Sequence, residues 1–380
     1  MKPVLDLSKE YGIVLEGGGA RGAYQIGAWK ALKDAGVKIK GIAGTSVGAL
    51  NGALMCMEDY ENAEKVWKDI SYSKVMDVDD ALMSQLFQGK IPLGEAFEIL
   101  FSTMRDGGVD VTPLRNLINQ YVDAEQIQAS PVEFYILTFC VDELKELDVD
   151  VHQIQPEELP DLLLASAYIF PLFKNEKLQG KTFIDGGVIN NVPLGSLVNR
   201  GYEDIIMIRI YGPGREKKVK IPEGTSVYSV EPRIHLGNII EFDAQKSRRN
   251  MTAGYYDTMR MIYGLKGSIY YVDAPEDERF YLNRLASLNS DSGLRKFVES
   301  RLSQVAHELK LSSGWNYQEL YLAVLEAAAR LLQIKKYKVY TLEALETAVA
   351  LRKHRLTEGK KTPLFAELLY QGGIEEDIEP

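Results

Sequence analysis

The chain has 380 residues, 46% of them hydrophobic, with 44 basic against 54 acidic side chains and a net charge of −10. That length and apolar content suffice for one large or two medium cores. The acidic balance excludes sequence-independent nucleic-acid binding, which needs a basic face to neutralise phosphates. The opening Met-Lys-Pro-Val-Leu-Asp-Leu-Ser has no apolar leader core, and no stretch approaches the roughly 18 apolar residues of a spanning helix. The expectation is a cytoplasmic protein, at most peripheral at membranes. Cys56 and Cys140, in apolar surroundings without metal-type spacing, read as buried thiols.

In chain order, Ile13-Val14-Leu15 reads as a buried strand ending in a glycine loop, Gly17-Gly18-Gly19-Ala20-Arg21-Gly22. Tyr24 to Ala35 carries Ile26, Trp29, Leu32 and Ala35 at helical spacing, and Gly36 stops it. A second strand, Ile39 to Gly44, ends in Gly44-Thr45-Ser46-Val47-Gly48, followed by a buried helix to Met57. Two strand-loop-helix units in succession predict an α/β layered fold. Between Asp59 and Asp110 the pattern becomes helical, with Met83, Leu86, Phe87, Phe97, Leu100, Phe101 and Met104. It reads either as a small helical subdomain or as a lid or acyl-chain wall beside the serine. Thr112 as N-cap with Pro113 behind it starts the next helix.

Further strands are expected over Phe134 to Phe139, Thr182 to Ile184 and Asp204 to Ile210. From about residue 290 the chain turns helical, with Leu294, Phe297, Val298, Leu302, Val305 and Leu309 on one face, then helices over Tyr317 to Leu332 and Thr341 to Leu351. The basic runs Arg215 to Lys220 and Arg352 to Arg355 read either as solvated segments or as contacts for anionic lipid headgroups.

A G-x-S-x-G at a strand-to-helix turn lifts its serine hydroxyl clear of the backbone, which makes Ser46 the candidate nucleophile, with Gly44 and Gly48 permitting close passage of main chain. Serine needs a base. The four histidines lie in polar turns or in the helical C-terminal part, none at a strand end after an acid. Asp185, ending an apolar strand before Gly186 and Gly187, reads either as that base or as an Asp-Gly turn closed by its own side chain. Backbone N–H groups of Gly18, Gly19 and Val47 suit a developing oxyanion. Arg21 either adds positive charge there or pins the loop through carbonyls.

Two controls come from the same sequence. Gly224-Thr225-Ser226-Val227 repeats the serine motif but ends in Tyr228 and runs into a strand, so Ser226 fails the context. Gly17-x-Gly19-x-x-Gly22 also fits a dinucleotide fingerprint, yet the end of the second strand lacks the acidic residue that a ribose requires. No dense carboxylate loop of the calcium-binding type occurs.

Taken together, Gly17 to Gly22, Gly44 to Gly48 and Asp185 to Gly187 resemble the patatin-like phospholipase family. Ala165-Ser166 with Pro171 and Phe173, and Asp110 to Arg115, extend the resemblance over roughly residues 8 to 275. It implies a three-layer α/β/α sandwich with a helical insertion over 59–110, and a lipid acyl hydrolase of phospholipase A or lysophospholipase type. The implied site has Ser46 as nucleophile, Asp185 as base and an oxyanion hole in the loop Gly17 to Gly22, without metal, cofactor or histidine. The implied substrate is a phospholipid or other acyl ester, met in transient contact with a membrane surface. Residues 290–380 form a helical extension outside the resemblance, with any protein partner unspecified. The alternatives are a carboxylesterase or thioesterase on soluble acyl compounds, and an idle scaffold whose extension binds a partner.

Overall fold

In the computed structural model, residues 1–92, 98, 102, 105, 107–169, 171–174, 177–178, 180–288, 301–352 and 363–371 are described. The expectations for Phe97, Leu100, Phe101, Met104, Leu294, Phe297, Val298, Lys353, His354 and Arg355 concern residues outside these ranges. The chain divides into two compact units, Leu5–Met261 and Met1–Val4 with Ile262–Pro380. The division lies upstream of residue 275, where the family resemblance ends.

The larger unit is built on a seven-stranded sheet. Strand β1 (Glu10–Leu15) is buried from Tyr11 onward, as expected of a central strand covered on both faces. It pairs in parallel with β2 (Lys38–Thr45) on one side and β6 (Asp204–Ile208) on the other. β3 (Glu133–Cys140) extends the parallel set beyond β2, and β7 (Ser226–Val230) beyond β6. The antiparallel β4 (Lys145–Asp150) closes the β3 edge. Ser226 opens a strand, so its serine motif has no helix behind it.

Between β1 and β2, α1 (Ala23–Ala35) ends at Gly36 in the left-handed region at φ 77°, whose N–H caps the Leu32 and Lys33 carbonyls. After β2 comes α2 (Val47–Cys56). Gly52 of α2 fits against Phe134 and Ile42 on one sheet face. Alternation turns Val14, Ala43, Tyr135 and Ile205 to the other face, where they pack with Val192, Leu197, Val198 and Tyr202. Helices on both faces give the expected α/β/α layering.

The insertion contains α3 (Tyr60–Lys68) and α4 (Asp80–Phe87), started by the side chains of Asp59 and Asp79. Next, α5 (Thr112–Tyr121) has Val111 rather than Thr112 at its N-cap, with no side-chain cap bond. α6 (Ala124–Ala129) leads into β3, and α7 (Leu159–Ser166) packs back on it. The short β5 is Phe183–Asp185, one residue later than the sequence pattern predicts, so Asp185 belongs to the strand itself. It is followed by α8 (Gly187–Asn190), α9 (Leu194–Val198) and, after β7, α10 (Ala244–Tyr263).

The second unit has its own core. Two short parallel strands, β8 (Tyr271–Asp273) and β9 (Val339–Thr341), pair at Val272↔Tyr340. Around them lie α11 (Glu278–Ser287), α12 (Ser303–Glu308), α13 (Tyr317–Leu331), α14 (Leu342–Ala350) and α15 (Leu364–Gln371). Leu320, Val324, Leu325, Leu342, Leu345 and Val349 are fully buried here. Buried Glu326 accepts the N–H groups of Ser268 (2.9 Å), Ile269 (2.9 Å) and Tyr270 (2.7 Å), closing the turn before β8.

Candidate active site

Ser46 stands where β2 stops and α2 starts, at φ 57° and ψ −129°. A non-glycine residue held there costs on the order of 1–3 kcal/mol and persists only where its surroundings enforce it. Here the turn is compressed between strand and helix. A Cβ on Gly44 would lie 2.4 Å from the Gly48 carbonyl oxygen, and one on Gly48 would lie 2.3 Å from that of Leu15. The Ser46 N–H is donated to Ser166 Oγ at 2.8 Å, and the Ser166 hydroxyl is donated to the Leu137 carbonyl at 2.6 Å. Ser166 therefore ties the elbow to β3.

The sheet register delivers Asp185 to the same point. β2 pairs with β3 as far as Thr45↔Leu137, and the next β3 position pairs with β5 as Thr138↔Asp185. β5 thus enters antiparallel in the lane that β2 vacates, and its last residue meets the serine turn end-on. The Ser46 hydroxyl lies in hydrogen-bonding reach of the Asp185 carboxylate. Asp185 also accepts the Gly187 N–H at 2.7 Å, so the side-chain-closed turn and the contact with serine coexist. Burial raises its pKa from 3.8 to about 6, against the lowering effect of the Ser46 and Gly187 bonds. Thr45 Oγ1 donates to the Asn190 carbonyl at 3.2 Å, joining the end of β2 to α8.

The glycine loop supplies donors, with one correction. Gly17 donates its N–H to the Asn191 carbonyl at 3.1 Å and is not available as an oxyanion donor. The N–H groups of Gly18, Gly19 and Val47 have no acceptor among the described residues. Gly19 sits at φ 53°, and a Cβ on it would meet the Ile239 carbonyl oxygen at 2.1 Å. Gly22 fits against Val47 and Trp67, Gly186 against the Leu137 carbonyl, and Gly187 against Asn191.

Arg21 donates Nε to the Gly237 carbonyl at 2.9 Å and its Nη1 to the Tyr211 carbonyl. This is the pinning geometry. Glu16, just before the loop, is buried and accepts Arg209 Nε at 2.9 Å, Ile210 N–H at 2.7 Å and Tyr211 N–H at 3.0 Å. Asn191 Nδ2 donates to the carbonyls of Gly17 at 3.0 Å and Gly212 at 3.2 Å. Glu16, Asn191 and Ser166 are the structural supports that motif reading did not assign. The legible signals are a lone carboxylate, Glu16, closing an apolar strand, and the family segment that contains Ser166.

Two cavities meet at Gly19 and Ser46. One is apolar, walled by Leu50 and Leu54 of α2, Trp67 and Val75 of the insertion, and Leu114 and Ile118 of α5. The insertion thus contributes wall residues, while Met83 and Leu86 do not line this cavity. The other contains Asp185, Gly187, Asn191, Pro213 and Gly214. No histidine lines either cavity. Cys56 and Cys140 are buried free thiols, and burial pushes the Cys56 pKa up.

An elbow serine beside a buried carboxylate and unpaired backbone donors is the arrangement of a serine hydrolase. The patatin-like phospholipase model matches residues 13–198, and this part of the chain belongs to that family. Neuropathy target esterase sws of Drosophila melanogaster is 30% identical over 207 residues, covering 52% of this chain and 13% of the relative. The chain therefore spans only a small fraction of that relative's length. VipD from Legionella pneumophila is 12% identical, with a TM-score of 0.42 over 96% of this chain and 92% of that one. The type III effector ExoU is 13% identical, with a TM-score of 0.33 over 95% and 77%. No described helix is long and apolar enough to cross a membrane.

Proposed function

We propose that the chain hydrolyses acyl esters of lipids through a Ser46–Asp185 dyad. The observation that carries this is the Ser46 hydroxyl on a strained elbow, within reach of a buried carboxylate whose pKa is raised to about 6. Such a carboxylate is ionised at neutral pH yet more basic than a solvated one, as a general base requires. Asp185 takes the hydroxyl proton while Oγ attacks the ester carbonyl, and the oxyanion is received by the N–H groups of Gly18, Gly19 and Val47. Collapse breaks the ester C–O bond, and the proton on Asp185 passes to the departing alcohol. The acyl-serine is then attacked by water that Asp185 deprotonates, releasing the acid and returning the proton to Ser46.

Glu16, Asn191 and Arg21 are positioning residues that hold the donor loop. The apolar cavity beside Val47 suits the acyl chain and favours a lipid over a short soluble ester. The dyad contains no metal ligand set, and none of the described residues cluster as one. Turnover of p-nitrophenyl butyrate and of a lysophospholipid tests the proposal. Ser46→Ala is expected to lose at least about 10³-fold in kcat with an unchanged circular dichroism spectrum; near-parental turnover by a folded Ser46→Ala protein would refute it.

A further inference from the structure

We infer that the Asp185 side of the site holds the phosphate of an anionic leaving alcohol, and that Arg215, assisted by Lys218, is its specificity determinant. This rests on the dyad reading above. A leaving oxygen that takes its proton from Asp185 must depart on the side of that carboxylate. With the acyl chain in the apolar cavity, as proposed above, the alcohol and whatever it carries are left the cavity walled by Asp185, Gly187, Asn191, Pro213 and Gly214.

The chain leaves that wall directly into Arg215-Glu216-Lys217-Lys218. Arg215 is fixed there by its main chain: its N–H is donated to the Gly187 carbonyl at 2.9 Å, and its carbonyl accepts the Asn191 N–H at 2.6 Å. Both partners belong to the turn that follows the base. Gly214 makes the approach possible, since a Cβ on it would meet the Gly187 carbonyl oxygen at 2.4 Å. The guanidinium therefore starts from a backbone anchored beside the leaving-group cavity, and its side chain is exposed.

The charges nearby do not cancel. Glu216 is paired with Arg209 at 2.9 Å, and Lys217 with Glu146. Arg215, Lys218 and Lys220 have no ion-pair partner among the described residues. A chain of net charge −10 thus keeps uncompensated cations in the segment that follows the cavity wall at Gly214. Guanidinium binds phosphate oxygens in a two-pronged geometry that ammonium does not match, which makes Arg215 the primary contact. The substrate class is an acyl ester whose alcohol bears a phosphate without a compensating cation. A choline-type headgroup carries its own positive charge and gains less from this run.

The test separates headgroup recognition in the site from general attraction to a charged membrane. Short-chain acyl glycerophosphate, acyl glycerophosphocholine and a neutral p-nitrophenyl ester are compared as monomers, with no vesicle present. The parent enzyme is expected to prefer the phosphate monoester to the choline ester. Arg215→Ala is expected to lose about tenfold of that preference through KM, Arg215→Glu more, and Arg215→Lys less. The preference is also expected to shrink as salt is raised. Because the Arg215 fixings are main-chain bonds, these variants retain them.

Equal losses on all three substrates, or an unchanged preference in Arg215→Ala, would overturn the headgroup assignment. A preference seen only on anionic vesicles and not with monomers would overturn it in favour of surface adsorption. Turnover of the neutral ester without any phosphate preference refutes this inference alone. Failure of the parent enzyme on every ester refutes the dyad reading and this inference with it.

Discussion

Asp185 is a carboxylate kept from water beside a hydroxyl, and on the proposed dyad its titration is expected to govern both activity and stability. A base with a pKa of about 6 must be ionised to act, so kcat/KM on a soluble ester is expected to fall about tenfold per pH unit below 6 and to level off above it. A profile centred near pH 4 would contradict this. The stability effect has the opposite sense. The folded chain holds this proton more tightly than an unfolded one, whose aspartate has a value of 3.8. Unfolding therefore releases it between about pH 4 and 6, and stability falls as pH rises through that window, by up to roughly 3 kcal/mol. Asp185→Asn removes this slope and is expected to unfold at higher denaturant than the parent above pH 6, while losing the activity assigned to the dyad. A lower midpoint there would show that burial of the charge is not the dominant cost.

At the scale of elements, the site is a consequence of register. β3 is long enough to pair with β2 at Leu137 and with β5 at Thr138, which brings two chain positions about 140 residues apart to adjoining rungs. Ser46 and Asp185 were each legible as strand-end residues, because apolar runs ending in glycine turns have local causes. Their meeting was implied only by the family resemblance, because the antiparallel entry of β5 leaves no local trace in three residues. Ser166 was legible only as part of a family segment, and its link between the Ser46 N–H and the Leu137 carbonyl depends on tertiary contact. β4 escaped because Lys-Glu-Leu-Asp-Val-Asp at a sheet edge is too polar to stand out. Gly17 was grouped with the oxyanion donors because sequence cannot show that its N–H is already taken by Asn191. Ser166→Ala strands a buried N–H and a buried carbonyl, and about 2–4 kcal/mol of stability is expected to be lost in urea unfolding. A loss below 0.5 kcal/mol would mean that another group takes over the link.

Across the molecule, the larger unit holds every residue assigned to chemistry, and the second unit has a separate core around Leu325 and Leu345. The apolar cavity draws on α2, the 59–110 insertion and α5, the insertion contributing Trp67 and Val75 rather than Met83 and Leu86. Leu117 of α5 is a half-buried wall residue of that cavity. Leu117→Trp is expected to lower kcat/KM on an octanoyl ester at least about fivefold more than on an acetyl ester, since added bulk shortens the space for the chain. Equal effects on both lengths would place the acyl chain elsewhere.

The central claim is that Asp185 activates Ser46. Labelling of the full chain with a fluorophosphonate probe, with peptide mapping and with Asp185→Asn run in parallel, tests it most directly. The expected result is a single adduct on Ser46, formed with a rate that falls at least about a hundredfold in Asp185→Asn while the fold is retained. An adduct on another serine, or equal labelling of Ser46 in the folded variant, would contradict it.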